Sequence, residues 1–243
     1  MRPSESPEFV PAAGLTAAPV ARSRCSPLLT PLAYFLGRRL VLPAYFGPIQ
    51  IIGQAYLPET GPVILAPTHR ARWDSIVLPL AAGRPATGRD LRYMVTADEV
   101  RGIQGWFIRH LGGFPVNVRR PTIASLRYGI DLLRQGEMLV IYPEGGICRQ
   151  DEVQRLKPGL ARLAVQAEAA QAGLNVQVLP VDIFYGEAYP SWRCPVRVAL
   201  GQPLAVSTYL GGDDSAEELK AGAKRLTADL QARLETMVGD RKA

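Results

Sequence analysis

The sequence predicts an α/β fold, a single domain with a largely parallel central sheet flanked by helices. Six short apolar runs are typical of buried strands, and they lie at residues 49–52, 62–66, 92–95, 138–142, 176–184 and 196–200. Segments with a helical spacing of apolar residues separate several of these runs. Because strands that alternate with helices form parallel sheets, the pattern favours one α/β domain over residues 45–239. Of the 243 residues, 47% are hydrophobic, which is enough for a sizeable core.

Start and stop signals predict three helices within this domain. One helix is bounded by Pro121 and Gly136, and a second begins at Pro158. A third is predicted over residues 215–238, since a Ser-x-x-Glu capping box precedes it and a glycine follows it. Residues 240–243 would then form a short tail.

The N-terminal part of the chain differs from the rest in composition. Residues 1–26 are rich in proline, serine and alanine, which is typical of a disordered tail. Residues 27–44 are predicted to form a short amphipathic helix that Thr30 caps and Pro43 ends. This helix could lie in a membrane interface or pack on the protein's own core, and the sequence leaves both open. The uncharged stretch 40–58 is not expected to span a membrane, because prolines interrupt it.

Arginine dominates the charge pattern. The chain has 28 lysines and arginines against 22 acidic residues, and residues 61–120 hold nine arginines against four acidic residues, a net charge of +5. Arginine suits planar, bidentate recognition of phosphate. The stretch therefore predicts an anionic partner, namely a phosphorylated small molecule, a membrane surface or a nucleic acid, or else a solvated basic face.

The cysteine and histidine contents exclude a disulfide scaffold and a multi-histidine metal site. Three scattered cysteines at positions 25, 148 and 194 are too few for a disulfide scaffold. Two histidines, His69 and His110, are too few for a multi-histidine metal site.

His69 and Asp74 form the first candidate for catalysis. They are five residues apart, which places them on opposite faces of a strand and about 140° apart on a helix. They can meet only if a turn separates them, as at the strand-to-helix junctions where α/β sheets build ligand sites. A histidine oriented by a carboxylate is a general base. The alternative is a surface histidine with Asp74 capping the next helix.

Glu144, Gly145 and Gly146 follow the predicted strand 138–142 directly. A glycine pair allows close approach of the backbone to a ligand and leaves N–H groups free for an anion, and Glu144 could bind a hydroxyl or a cation. The alternative is an ordinary turn.

Arg119 and Arg120 follow a short extended segment and precede the helix that Pro121 opens. Two arginines beside a helix N-terminus are a candidate phosphate clamp. The alternative is a pair of solvated side chains.

These segments resemble, in order and spacing, four blocks of the glycerolipid acyltransferase family, specifically the 1-acyl-glycerol-3-phosphate acyltransferases. The matching segments are Thr-His-x-x-x-x-Asp at 68–74, Gly-Gly-Phe-Pro-Val-Asn at 112–117, Tyr-Pro-Glu-Gly-Gly-Ile-Cys-Arg at 142–149 and Val-Leu-Pro-Val at 178–181. The resemblance covers about residues 31–205.

The resemblance implies that a fatty acyl group moves from an acyl thioester, acyl-ACP or acyl-CoA, to the sn-2 hydroxyl of lysophosphatidic acid, which gives phosphatidic acid in phospholipid biosynthesis. His69 would take the proton of the hydroxyl and Asp74 would orient His69. Glu144, Gly145 and Gly146 would bind the acceptor. No metal or other cofactor is implied.

The chain departs from the family pattern where the family holds the acceptor phosphate. In the family, arginines of the second and third blocks help to bind that phosphate. Val118 and Ile147 stand at those positions here. Arg119, Arg120 and Arg149 are therefore the predicted phosphate ligands.

Alternatives to this reading involve the acceptor, the mechanism and the class of protein. A sister O-acyltransferase would use glycerol 3-phosphate or another lysophospholipid, and Cys148 would be an acylated nucleophile in a covalent mechanism. A non-catalytic basic protein would bind membrane or nucleic acid. Since the favoured substrates are lipids, we expect a membrane surface as a partner, a peripheral or monotopic location on its cytoplasmic face, and no nucleic acid.

Overall fold

The computed structural model describes residues 23–117, 122–212 and 215–242. Most of the predicted N-terminal tail lies outside these residues, as do Val118, Arg119 and Arg120. The end of that tail is described, and it differs from the prediction because Cys25 forms a β-bridge with Leu111 and Ser23 bonds to the Tyr128 hydroxyl.

Strands of the described residues form one eight-stranded sheet. The strands are β1 (Ile49–Ile52), β2 (Val63–Pro67), β3 (Leu91–Thr96), β4 (Gly113–Val116), β5 (Met138–Val140), β6 (Gln177–Tyr185), β7 (Val196–Leu200) and β8 (Leu204–Ala205). Their order is β1-β7-β6-β2-β5-β3-β4, and β8 pairs with β6. The five strands from β6 to β4 are parallel, whereas β7 and β8 run antiparallel to β6. The predicted α/β fold with a largely parallel sheet is confirmed.

Helices cover both faces of this sheet. They are α1 (Leu29–Leu36), α2 (Leu42–Tyr45), α3 (Asp74–Ala82), α4 (Arg84–Thr87), α5 (Gly102–His110), α6 (Ile123–Arg134), α7 (Gly159–Ala170) and α8 (Ala216–Lys242). Successive residues of β2 point to opposite faces, so Ile64 packs with α6, α7 and α8 while Leu65 packs with α2 and α3. This double cover explains why β2 is apolar throughout.

The N-terminal helix differs from the prediction at both ends, since Thr30 lies inside α1 rather than capping it. A π-helical turn (Gly37–Val41) joins α1 to α2, and the helical path continues past Pro43 to Tyr45. Proline ends a helix because its ring clashes with the carbonyl four residues earlier. The π turn widens the helix just before Pro43, where the Leu42 N–H bonds to the Gly37 carbonyl, so the proline is accommodated.

The last helix is also longer than predicted, because α8 passes Gly239 and continues to Lys242. Side-chain contacts hold its final turn. The Arg241 guanidinium lies 4.0 Å from the centroid of the Phe184 ring and pairs with Asp151 and Asp182. These contacts offset the low helix propensity of glycine.

We predict that Leu163→Ala lowers the free energy of unfolding by about 2–5 kcal/mol, since Leu163 is fully buried where α6 crosses α7. Its Cδ1 would lie 2.8 Å from a Cβ added at Gly129, which shows how closely the two helices pack. Chemical denaturation measures the change. Arg162→Ala, at an exposed neighbouring position, is the control. Equal stability of the two variants would contradict this packing.

Candidate active site

The carboxyl ends of β2 and β5 bring two distant loops together. These strands are parallel neighbours with Leu65 opposite Val140, so the segments that follow them leave the sheet at the same edge. The Cys148 N–H donates to the His69 carbonyl at 2.8 Å, which joins the two loops directly.

His69 and Asp74 meet across the turn between β2 and α3. His69 Nδ1 lies 2.8 Å from Asp74 Oδ2. The Asp74 side chain has no exposed surface, whereas 20% of the His69 side chain is exposed. The backbone turn that the five-residue spacing requires is present, because α3 begins at Asp74.

The Asp74 carboxylate accepts four hydrogen bonds. Its Oδ2 accepts from His69 Nδ1 and from the N–H groups of Arg70 and Ala71 at 2.8 Å and 3.0 Å. Its Oδ1 accepts from the Tyr185 hydroxyl at 2.8 Å. Burial and the neighbouring Asp74 charge raise the pKa of the Tyr185 phenol, so this residue stays a donor. A carboxylate held by donors alone must orient the imidazole with its Nδ1 proton toward it.

The His69 ring is also held from one side by Tyr142. The two rings stack with centroids 4.0 Å apart at an interplanar angle of 22°. Burial, with a smaller contribution from Asp74, raises the pKa of the Tyr142 phenol well above its usual value, so this ring is neutral. With Nδ1 turned to Asp74, Nε2 is the ring nitrogen able to accept a proton.

Glu144 does not face the ligand space where the sequence predicted it. Its side chain is 1% exposed, and Oε2 accepts the His69 N–H at 3.1 Å. Oε1 accepts from the Gln154 N–H at 3.2 Å and from Arg70 Nη1 at 3.3 Å. Glu144 therefore fixes the backbone of the histidine loop, and this role explains its burial.

Arg70 is a residue that sequence reasoning missed. Besides its contact with Glu144, its Nη1 donates to the Cys148 carbonyl at 3.1 Å and its Nη2 to the Glu152 carbonyl at 3.0 Å. Arg70 thus ties the histidine loop to residues 144–152. Its position next to His69 gave no signal that separated it from the other arginines of the basic stretch.

A cavity of about 850 Å³ opens beside His69. Its lining is mostly apolar, from α1, α3, α5, β3 and the loop after β5. Gly145, Gly146 and Ile147 line it as well. Gly145 has a φ of 75°, and a Cβ there would meet Lys157, so this wall requires glycine. Of the charged residues that the structure describes, those that line the cavity are Arg38, Arg72 and Glu99.

Arg149, one of the three predicted phosphate ligands, does not line this cavity. Arg149 is exposed and lies over the Tyr189 ring, 4.6 Å from its centroid, outside the lining. Arg119 and Arg120 lie outside the described residues, so their predicted role stays a prediction.

Comparisons with known proteins identify a family. Residues 48–183 match the acyltransferase family model. A 1-acyl-sn-glycerol-3-phosphate acyltransferase of Streptococcus pneumoniae is 28% identical over 172 residues, 69% of this chain and 59% of the relative. The enzyme of the same name from Bacillus subtilis is 27% identical over 124 residues, 51% of this chain and again 59% of the relative. The chain therefore spans about three fifths of the length of these relatives.

Solved structures show the same fold. The crystal structure of the 1-acyl-sn-glycerophosphate (LPA) acyltransferase, PlsC, from Thermotoga maritima superposes with a TM-score of 0.63. The match covers 88% of this chain and 80% of that one at 21% sequence identity. Since the family model spans more than half of its residues, including both loops that build the site, the chain belongs to the acyltransferase family.

Proposed function

We propose that this protein transfers a fatty acyl group from an acyl thioester to the sn-2 hydroxyl of 1-acyl-glycerol 3-phosphate, which gives phosphatidic acid. The observation that carries the proposal is the His69–Asp74 pair at the wall of a large apolar cavity. A general base beside an apolar cavity suits the acylation of an alcohol by a fatty acyl donor. The names of the S. pneumoniae and B. subtilis relatives support the choice of acceptor.

In the proposed mechanism, His69 moves the one proton that this transfer requires. An alcohol is a poor nucleophile near neutral pH, so His69 Nε2 takes its proton as the oxygen attacks the thioester carbonyl carbon. The new C–O bond forms and the C–S bond breaks. The imidazolium then returns the proton to the departing thiolate. Asp74 stabilises the imidazolium and keeps Nε2 directed away from itself.

A second candidate acceptor is glycerol 3-phosphate. Glycerol-3-phosphate acyltransferase 1, mitochondrial, from Sus scrofa is 26% identical over 134 residues, although the match covers 16% of that protein. Purified enzyme given acyl-ACP or acyl-CoA with each acceptor in turn tests both proposals. We expect transfer to lysophosphatidic acid, and transfer to glycerol 3-phosphate alone would replace the first candidate by the second.

Both members of the dyad are expected to be needed for turnover. We predict that His69→Ala lowers kcat by about 10²–10⁴-fold, because it removes the general base. Asp74→Asn should also lower kcat severely, since its amide N–H₂ opposes the donors that now bind the carboxylate. Steady-state assays with saturating substrates measure both effects.

His110→Asn is the matched control for these variants. His110 Nδ1 lies 2.8 Å from the Trp106 carbonyl, and its ring stacks on Trp106, with no carboxylate bonded to it among the described residues. We expect near wild-type kcat. A His69→Ala variant that kept more than about a tenth of wild-type kcat would contradict the mechanism.

A substitution of Glu144 tests whether this residue positions the histidine loop or binds the substrate directly. We predict that Glu144→Gln lowers both stability and kcat, because it leaves the buried Arg70 guanidinium without its charged partner. The KM for lysophosphatidic acid should change little, since Glu144 does not line the cavity. A large change in that KM at unchanged stability would instead support the direct acceptor contact that the sequence predicted.

We also propose that the protein works at a membrane surface. Leu32, Phe35 and Leu40 on the N-terminal helix are more than half exposed, with Phe35 at 61%. Ile103 and Phe107 on α5 are exposed too, and Phe107 lines the cavity. Among the described residues, no helix has the length and apolar character needed to cross a bilayer. We propose that the cavity holds the acyl chain. Exposed apolar side chains near it support contact with a lipid surface.

Membrane association is expected to depend on the exposed face of the N-terminal helix. Phe35 and Leu36 are adjacent exposed residues of this helix, but Leu36 also lines the cavity. Leu32→Ser with Phe35→Ser is therefore the cleaner variant, and we predict that it lowers co-sedimentation with phospholipid vesicles. Deletion of residues 1–22 should leave co-sedimentation unchanged. Equal pelleting of the double variant and wild type would show that this face does not contact lipid.

A further inference from the structure

The proposed acceptor carries a phosphate monoester, which needs a cationic partner at the cavity. Ile147 lines the wall beside Gly146 and carries no charge, and Arg149 is held over Tyr189 outside the cavity. We propose that Arg38 and Arg72, the cationic side chains that line the cavity among the described residues, together bind the phosphate monoester of the acceptor. This inference rests on the proposed function, because it assigns the phosphate of that acceptor to a site.

Arg72 is close to the catalytic dyad in the chain and already binds an anion. It lies three residues after His69, in the turn directly before α3. Its Nη2 and Nη1 donate to the two carboxylate oxygens of Glu99 at 3.0 Å and 3.3 Å. A phosphate accepts the same pair of parallel hydrogen bonds from a guanidinium. Arg72 is therefore oriented for an anion at the cavity wall.

Glu99 is a partner that a phosphate can displace. The Arg72 side chain is 78% exposed and the Glu99 side chain 40%, so water screens the pair. Exposed ion pairs contribute little to stability. A phosphate monoester carries about −1.5 to −2 charges near neutral pH, more than a carboxylate. Although Glu99 also accepts a hydrogen bond from Gln104 at 3.0 Å, we expect phosphate to compete with it for Arg72.

Arg38 supplies the second cation from the N-terminal helix. It lies in the π-helical turn, where its side chain is exposed and makes no hydrogen bond or ion pair with the described part of the chain. A Cβ at Gly37 would contact the Ile76 side chain at 3.6 Å, so this turn packs on the first turn of α3, just after Arg72. Such π turns occur frequently at functional sites. Arg38 and Arg72 thus flank the same end of α3.

Steady-state kinetics in neutral detergent micelles test the proposal without anionic bilayer lipid. We expect Arg38→Gln and Arg72→Gln each to raise the KM for lysophosphatidic acid by about tenfold or more, since each loses a charged hydrogen bond to phosphate. The KM for the acyl donor should change less than about twofold. Glu99→Gln should lower the KM for lysophosphatidic acid, because it frees Arg72 from its competitor.

Two controls separate phosphate binding from a general loss of activity. Arg39→Gln alters an exposed arginine of the same π turn that does not line the cavity, and we expect wild-type kinetics. With a 1-acyl-glycerol that lacks phosphate as the acceptor, Arg38→Gln and Arg72→Gln should match wild type. Circular dichroism confirms that each variant is folded.

Several results would overturn the proposal. An unchanged KM for lysophosphatidic acid in both arginine variants, with weaker binding to anionic vesicles, would assign these arginines to the bilayer. A large effect of Arg119→Gln with none at Arg38 or Arg72 would assign the phosphate to the second block. A rise in KM with Glu99→Gln would contradict the exchange on Arg72. Wild-type protein that acylates no phosphate-bearing acceptor would overturn the proposed function as well, so the two failures are distinguishable.

Discussion

The carboxylate of Asp74 has no exposed surface, and a charged group in that position is stable only if hydrogen bonds replace its lost hydration. Four donors meet this requirement, and two of them are backbone N–H groups of the residues that follow His69. The loop after β2 must therefore curl around Asp74, and this curl brings the imidazole to the same carboxylate. The arrangement that stabilises the buried charge is also the one that orients the proposed general base.

Glu144, in the loop after β5, is also a buried charge that hydrogen bonds stabilise. Its donors come from His69, Arg70 and Gln154, which lie in two loops far apart in sequence. Because β2 and β5 are parallel neighbours, these loops leave the sheet side by side, and one carboxylate can bind both. The histidine loop is thus held by its own aspartate from one side and by the neighbouring loop from the other. Rigid support of this kind is what a positioned proton acceptor needs.

Local patterns predicted where the helices and strands lie along the chain, but not which of them pair or pack together. Apolar runs and capping signals located β2, β6 and α7 to within a few residues, because these features report burial and helix ends along the chain itself. The insertion of β7, antiparallel to β6, between β6 and β1 left no such mark. Continuation of the helix past Pro43 depends on a π turn, and continuation past Gly239 depends on contacts of Arg241 with distant residues. Each of these outcomes is decided by tertiary structure.

In the candidate site, too, local patterns predicted some contacts while tertiary structure decides the others. The spacing of His69 and Asp74 at the end of a strand indicated only that they can meet across a turn, and the resemblance of four ordered blocks to a known family implied that they do. Glu144 was predicted to contact a ligand, whereas its partner Arg70 lies 74 residues earlier and no local pattern connects them. A buried ion pair between distant residues is visible only once the strand order is known. The cavity likewise depends on how α1, α3 and α5 pack around β3.

The composition of the basic stretch 61–120 predicts an anionic partner or a solvated basic face, but most of its described arginines pair with carboxylates of the same chain. Seven of its nine arginines are described, and five of these pair with carboxylates, at positions 70, 72, 84, 92 and 101. Arg89 instead donates to backbone carbonyls, including that of Gly61 at 2.6 Å. Most of the described charges therefore have a partner within the protein, although the pairs of Arg72 and Arg101 are exposed to solvent. A continuous cationic surface for a nucleic acid needs free arginines along one face, and the pairing of these five arginines reduces the number that are free for one.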